Sequence, residues 1–264
     1  MNSLITQVTS ANPSTVVVIQ SGTPVSMPFL STTPALLHAW YGGNETGNAI
    51  ADIIFGNVNP SAKLPLSFPK RIQDNPAFLS FRSERGRAIY GEDVYVGYRW
   101  YEALELPVLF PFGHGLSYTS FSFSDLKVEK GEKNLSVKVK IENTGSLAGA
   151  EVVQVYVSQK NPSIKRPPKE LKGFSKAWLD KGEEKVVEVN IEVKYAVSFW
   201  DEVRNAWISE FLFASYPSEF AAKTNSMIVE KDVYEVIVGG SSEEGIGEVH
   251  DSFEIAKTSW WNGV

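Results

Sequence analysis

The chain of 264 residues has no cysteine. Disulfides and thiolate chemistry are therefore excluded. The absence suits a reducing compartment and slightly favours the cytoplasm. The N-terminus also lacks the basic-then-apolar pattern of a signal peptide. No apolar run approaches the length that crosses a bilayer, so no membrane is expected as a partner. Positive charge is in deficit: 25 Lys and Arg stand against 31 Asp and Glu, for a net charge of −6. Phosphate backbones need a concentrated basic surface, and no basic run with interleaved aromatics occurs, so nucleic acid is excluded as a partner. Histidine is sparse: His38, His114 and His250 are far apart. None has a second histidine or a carboxylate at a metal-ligand spacing, so neither a metal nor a cofactor is expected.

Aromatic residues, by contrast, are plentiful, with seven Trp, ten Tyr and fifteen Phe. They suit packed cores and also surfaces that stack on sugar rings. Hydrophobic residues make up 43% and charged residues 21%, a balance that can bury a core.

The first 69 residues follow α/β grammar. Leu4, Ile5 and Val8 predict one face of an amphipathic helix over residues 1–10. The run Val16 to Ile19 predicts a strand buried on both faces, as in a parallel sheet. An apolar run over 35–41 predicts a second strand. Gly42, Gly43 and Gly47 then permit a tight turn, Ala49, Ile50, Ile53 and Ile54 fall at helical spacing, and Gly56 and Pro60 mark the stop. The glycine turn has neither the Lys-Ser/Thr of a phosphate loop nor the dinucleotide spacing, and reads as a β-to-α turn. Two strands and two helices do not complete a doubly wound sheet, so the expected fold here is an incomplete α/β sandwich. Residues 70–120 are proline-punctuated and aromatic, an irregular connector, with 88–101 expected to pack as a buried segment whose tyrosines, Arg99 and Trp100 hold domains together.

After Phe121 the period becomes two. Leu135, Val137, Val139 and Ile141 alternate with polar residues, and Val153, Val155 and Val157, Val187 to Val193, and Tyr234 to Val238 repeat the pattern. Residues 121–264 therefore predict an all-β sandwich of fibronectin-III or immunoglobulin type. An unusual insertion at about 210–229 interrupts an expected strand–turn–strand join. Two readings stand: a long loop, uncommon in compact sandwiches, or a translated intron. For the second, Ser209-Glu210 can encode a splice donor, Lys223 to Asn225 a branch point and Ile228-Val229 an acceptor. Transcript reads that span the segment uniformly, with no spliced species, would remove the intron reading.

Four stretches carry a family resemblance: residues 12–25, with Gln20-Ser21-Gly22-Thr23-Pro24; residues 40–69, with Trp40-Tyr41-Gly42-Gly43-Asn44-Glu45; residues 90–101, with Gly91-Glu92-Asp93 and Gly97-Tyr98-Arg99; and residues 110–119, with Phe112-Gly113-His114-Gly115-Leu116-Ser117. In this order and spacing they resemble the C-terminal part of glycoside hydrolase family 3, the β-glucosidase type. Residues 165–174 resemble the fibronectin-III-like module that ends many members. The resemblance implies hydrolysis of terminal β-D-glucosyl residues by a retaining mechanism, with a β-glucoside as substrate. It also implies that both catalytic carboxylates, the nucleophile on an N-terminal barrel and the acid/base glutamate, lie upstream of Met1. No catalytic residue can be carried onto this chain, substrate-binding residues are unknown, and the chain alone is expected to be inactive. Its expected partners are a missing N-terminal barrel domain or a homo-oligomer.

Local carboxylates offer no replacement pair. Glu92 and Asp93 are adjacent and, on an extended backbone, point to opposite faces. Glu45 suits a helix start. Asp52, Glu183, Glu184, Glu243 and Glu244 read as solvated charge, His38 as a satisfied core residue, and no Gly-x-Ser-x-Gly elbow supports a Ser/His/Asp triad. The alternative function is a non-catalytic interaction or carbohydrate-binding module. An exposed aromatic platform would favour that alternative, and an exposed apolar strip would favour a chain that lacks its partner domain.

Overall fold

A computed structural model describes residues 2–201, 226–245 and 247–262. The chain forms two compact units. The first takes in residues 1–120 with the short segments 145–150 and 241–243, and the second holds 121–144, 151–240 and 244–264.

In the first unit, helix α1 (Asn2–Ala11) precedes strands β1 (Val16–Ile19) and β2 (Ala35–His38). The two strands pair in parallel, Val16 opposite Ala35 and Ile19 opposite His38. Helix α2 (Thr46–Ile54) follows, and strands β3 (Phe68–Pro69) and β4 (Val108–Phe110) flank the short helix α3 (Tyr98–Ala103). Val17, Met27, Phe29 and Phe68 form a small core, joined by Ile5, Ile19, Leu36, Leu64 and others. α2 ends as its sequence predicts: Gly56 takes a φ of 75°, a left-handed value that a Cβ would oppose. Of the three turn glycines, only Gly43 needs its freedom in φ, at 65°, whereas Gly47 lies inside α2. Gly42 is required for space, because a Cβ there would meet Thr46 Oγ1 at 2.2 Å.

Several expectations fail in this unit, most of them because burial depends on what covers a face. β1 is buried on one side only. Val17 is covered, while Val16 and Val18 are 47% and 37% exposed, because only one layer packs on the two-stranded sheet. Along α1, Ile5 and Thr9 face the core, whereas Leu4 and Val8 lie exposed. Residues 88–91, expected in a buried connector, are all exposed; burial begins at Tyr101 in α3. Glu92 and Asp93 occupy a turn with Asp93 at φ 51°, not an extended segment.

The second unit is a sandwich. Strands β5 (Phe121–Lys130), β6 (Asn134–Asn143) and β9 (Glu184–Glu192) make one sheet in the order β5-β6-β9. β7 (Gly149–Gln159), β8 (Glu170–Leu179), β12 (Asp232–Gly239) and β13 (Val249–Ile255) make the other, in the order β13-β12-β7-β8. Helix α4 (Val193–Val197) closes one end, and β10 (Phe199–Trp200), β11 (Ser226–Val229) and β14 (Ser259–Asn262) form a small third sheet.

The alternation read from sequence is what packs. Leu135, Val137, Val139 and Ile141 point inward from β6 and are fully buried against Val153, Val155, Val187, Val189, Tyr234 and Val236. Each such side chain contributes about 1.5–3 kcal/mol by leaving water. Gly173 admits the opposite strand, since a Cβ there would stand 2.7 Å from Val189 Cγ1. Of the expected insertion, residues 210–225 lie outside the described residues. Its last four, Ser226–Val229, pair with Phe199 and Trp200 on one side and with β14 on the other.

Candidate functional site

In an open α/β sheet, ligands bind beyond the carboxyl ends of the parallel strands. In this chain, that position is the crest formed by Ser21 after β1 and by His38 to Tyr41 at the end of β2. The in-register pairing of Ile19 with His38, and the bond from Ala39 N to Ile19 O (2.8 Å), bring the two strand ends together. Ser21 Oγ then lies 3.0 Å from His38 Nε2. Trp40 stacks at a tilt on the His38 ring with centroids 4.2 Å apart, and holds a left-handed φ of 46° that a bulky residue rarely adopts. Tyr41 lies across Gly22 so closely that a Cβ there would fall 2.1 Å from its hydroxyl.

Behind the crest, a line of rings continues. His38 meets Phe68 edge-on at 5.3 Å, Phe68 meets Phe110 at 6.0 Å, and Phe110 meets His114 at 5.1 Å. Burial lowers the pKa of His38. Burial also lowers that of His114, with Lys63 adding to the shift and Glu243 opposing it. Both rings are thus held neutral at neutral pH.

The crest has a hydroxyl on an imidazole but no acid behind it. His38 Nδ1 is buried and has no hydrogen-bond partner among the described residues. The reading of His38 as a satisfied core residue is therefore corrected: one ring nitrogen is satisfied and the other is not. A serine activated for attack needs its base oriented by a third group, which is lacking at this Nδ1. Sequence reasoning missed the Ser21–His38 pair, although His38 ends one apolar strand run, Ser21 lies two residues beyond the other, and a parallel register would have aligned them.

The carboxylates weighed from sequence do not converge. Glu45 Oε2 accepts from Asn48 Nδ2 at the start of α2 (2.6 Å), and Asp52 Oδ1 accepts from Asn57 Nδ2 (3.1 Å). Glu183 Oε2 accepts from Asp180 N in the β8–β9 turn (2.6 Å). Glu184 lies 3.6 Å from Lys140, and Glu244 lies 3.4 Å from Lys169. The structure does gather one acidic pair that spacing did not suggest: Glu235 and Glu248 flank His250, at 3.0 Å from Nδ1 and 3.6 Å from Nε2. Cross-strand pairing brings Glu235 on β12 to His250 on β13, whereas Glu248 precedes His250 by two residues. It is a polar contact at the surface of the sheet. Among the described residues, no group of three His, Asp or Glu is arranged to hold a metal ion.

Residues 1–118 match the model of the glycosyl hydrolase family 3 C-terminal domain, and residues 151–211 match that of the fibronectin type III-like domain. The chain carries the C-terminal domain of glycosyl hydrolase family 3. Among curated proteins, it is 52% identical to a probable beta-glucosidase I of Aspergillus fumigatus, over 99% of this chain and 29% of the relative. Among solved structures, the family 3 chain superposes on a beta-glucosidase from Kluyveromyces marxianus in complex with glucose, with TM-score 0.87 and 46% identity, over 100% of this chain and 29% of that one. Beta-glucosidase 3B from Thermotoga neapolitana in complex with glucose is matched at TM-score 0.82 and 32% identity, over 99% of this chain and 34% of that chain. The family 3 chain thus spans about a third or less of the length of the relatives it matches.

Proposed function

We propose that the chain serves as the C-terminal portion of a retaining β-glucosidase, an enzyme releasing glucose from non-reducing ends of β-glucosides, and that it is not catalytic by itself. The observation that carries this reading is the match of the whole chain to β-glucosidases of which it spans only 29%. Retaining hydrolysis needs a nucleophile and an acid/base carboxyl about 5–5.5 Å apart across the scissile bond. Glu45, Asp52, Glu183 and Glu244 are instead held in local hydrogen bonds and an ion pair. The bare face of β1, with Val16 and Val18 exposed, supports the same reading. In this role the chain supplies scaffold, and the reacting carboxylates come from the remaining length of the enzyme. The test is an assay of the purified chain with a chromogenic β-glucoside, and no turnover is expected. Turnover abolished by a substitution within the chain would overturn the proposal.

A second reading has one observation in its favour. Phe174 and Trp178 lie on the outward face of the edge strand β8, 69% and 57% exposed, with Lys176 between them. Two such rings on one face offer stacking surfaces for sugars. Affinity electrophoresis in a soluble β-glucan tests this glycan-binding role. Retardation lost in F174A/W178A supports it, and unretarded migration of the unsubstituted chain excludes it.

A further inference from the structure

Residues 78–90 form a largely exposed arm on the first unit that folds back on itself at a tight turn, where Glu84 and Arg87 make an isolated bridge. Arg85 and Gly86 take φ values of 50° and 78°, the pair of left-handed residues that a two-residue type I′ turn requires. Glu84 and Arg87 exchange both backbone hydrogen bonds across that turn, at 3.1 and 3.0 Å. Every residue from Phe81 to Tyr90 is exposed. Four of the bare side chains on the two limbs are large and apolar: Leu79 at 95%, Phe81 at 83%, Ile89 at 69% and Tyr90 at 83%. Arg82, Arg85 and Arg87 against Glu84 give the tip two net positive charges in a chain whose total is −6.

A turn held by a single bridge has little stability of its own in water, and large apolar side chains gathered bare on one short arm mark a surface that something covers. We infer that this arm is a docking element that packs into an apolar, acid-rimmed groove on the remaining length of the β-glucosidase. The inference rests on the proposed function. The occupant follows from two facts: about 70% of the length of the matched relatives lies outside this chain, and the basic tip calls for an acidic counter-surface. The apolar limbs supply affinity and the arginines supply register.

The three arginines also provide the probe, because trypsin cleaves after each when the arm is free. The test compares the isolated chain with a single polypeptide in which this chain follows the remaining N-terminal length of the Aspergillus fumigatus relative. The isolated chain should be monomeric by light scattering and cut within the arm. In the fusion, which should hydrolyse a chromogenic β-glucoside, cutting at Arg82, Arg85 and Arg87 should slow by about tenfold or more. F81D/Y90D should restore rapid cutting in the fusion while leaving the circular dichroism of the isolated chain unchanged. An active fusion whose arm is cut as fast as in the isolated chain would overturn the docking inference and leave the proposed function standing. An inactive fusion would remove the proposed function and the inference with it. An isolated chain that is dimeric, and made monomeric by F81D/Y90D, would assign the arm to a second copy and overturn the occupant named here.

Discussion

Ser21 Oγ and His38 Nε2 lie 3.0 Å apart, joining the carboxyl ends of two strands that meet in parallel with Ile19 opposite His38. The contact fixes the His38 ring, on which Trp40 stacks. It also leaves Nδ1 buried with no partner among the described residues, so the ring has reason to stay neutral.

Acid should therefore loosen the first unit. Burial lowers the pKa of both His38 and His114 below the ordinary 6.5. Between 6.5 and the lowered folded values, the unfolded chain binds more protons than the folded one. The contribution is then fully present above pH 6.5 and is lost as pH falls through the folded values. NMR titration of the ring protons should show both histidines protonating below pH 6.5. If the variant H38Q/H114F loses stability in acid as steeply as the parent chain, these two rings are not the cause.

Alkali should act on the second unit through Tyr234. Its phenol is fully buried in the sandwich core, donates to Glu230 O at 3.0 Å, and has its pKa pushed up to about 12, chiefly by burial. The unfolded value is about 10. Its contribution should hold below pH 10 and disappear as pH rises from 10 through about 12. Phenolate absorbance compared between the parent and Y234F isolates this residue among the ten tyrosines. A difference spectrum that develops by pH 10 would refute the assignment.

Arg166 should not tolerate lysine. Its Nη1 donates to Gln159 Oε1 (2.7 Å) and Val197 O (3.0 Å), its Nη2 donates to Glu170 Oε2 (3.0 Å), and its guanidinium lies 4.9 Å from the Phe199 ring centre. Lysine lacks the planar fork that reaches these partners together. Glu170 keeps Lys172 at 3.4 Å, which limits the damage. R166K should cost about 1–3 kcal/mol, read as a lower urea midpoint at unchanged m. A midpoint equal to that of the parent would show that the fork adds nothing.

Asn59 organises residues 115–120 and 145–150 within the first unit. Its Nδ2 donates to Ala148 O at 3.0 Å, and its Oδ1 accepts from Ser117 Oγ (2.9 Å) and Tyr118 N (2.8 Å). N59L removes all three bonds and should cost about 1–3 kcal/mol. N59D keeps both accepted bonds but turns an oxygen towards the Ala148 carbonyl, so it should recover only part of the loss. Hydrogen exchange at the Tyr118 amide is the sensitive readout, with faster exchange expected in N59L. Unchanged protection there would contradict the role.

What the sequence determined by itself was local. The two-residue alternation over Leu135 to Ile141 and Tyr234 to Val238 specifies strands and their inward faces, because successive side chains on a strand must point to opposite sides. Gly56 stops α2 because few other residues take a φ of 75° without strain. The ordered motifs from Gln20 to Tyr118 identified the family. The tertiary structure decided whatever depends on a distant partner. Register across strands brought Ser21 to His38 and Glu235 to His250. Coverage decided that α1 buries Ile5 rather than Leu4, that Val16 and Val18 stay bare, and that residues 81–90 stand in solvent. Apolar side chains state only that a face should be covered. Which faces are covered depends on segments far away in sequence, so periodicity alone could not foretell it.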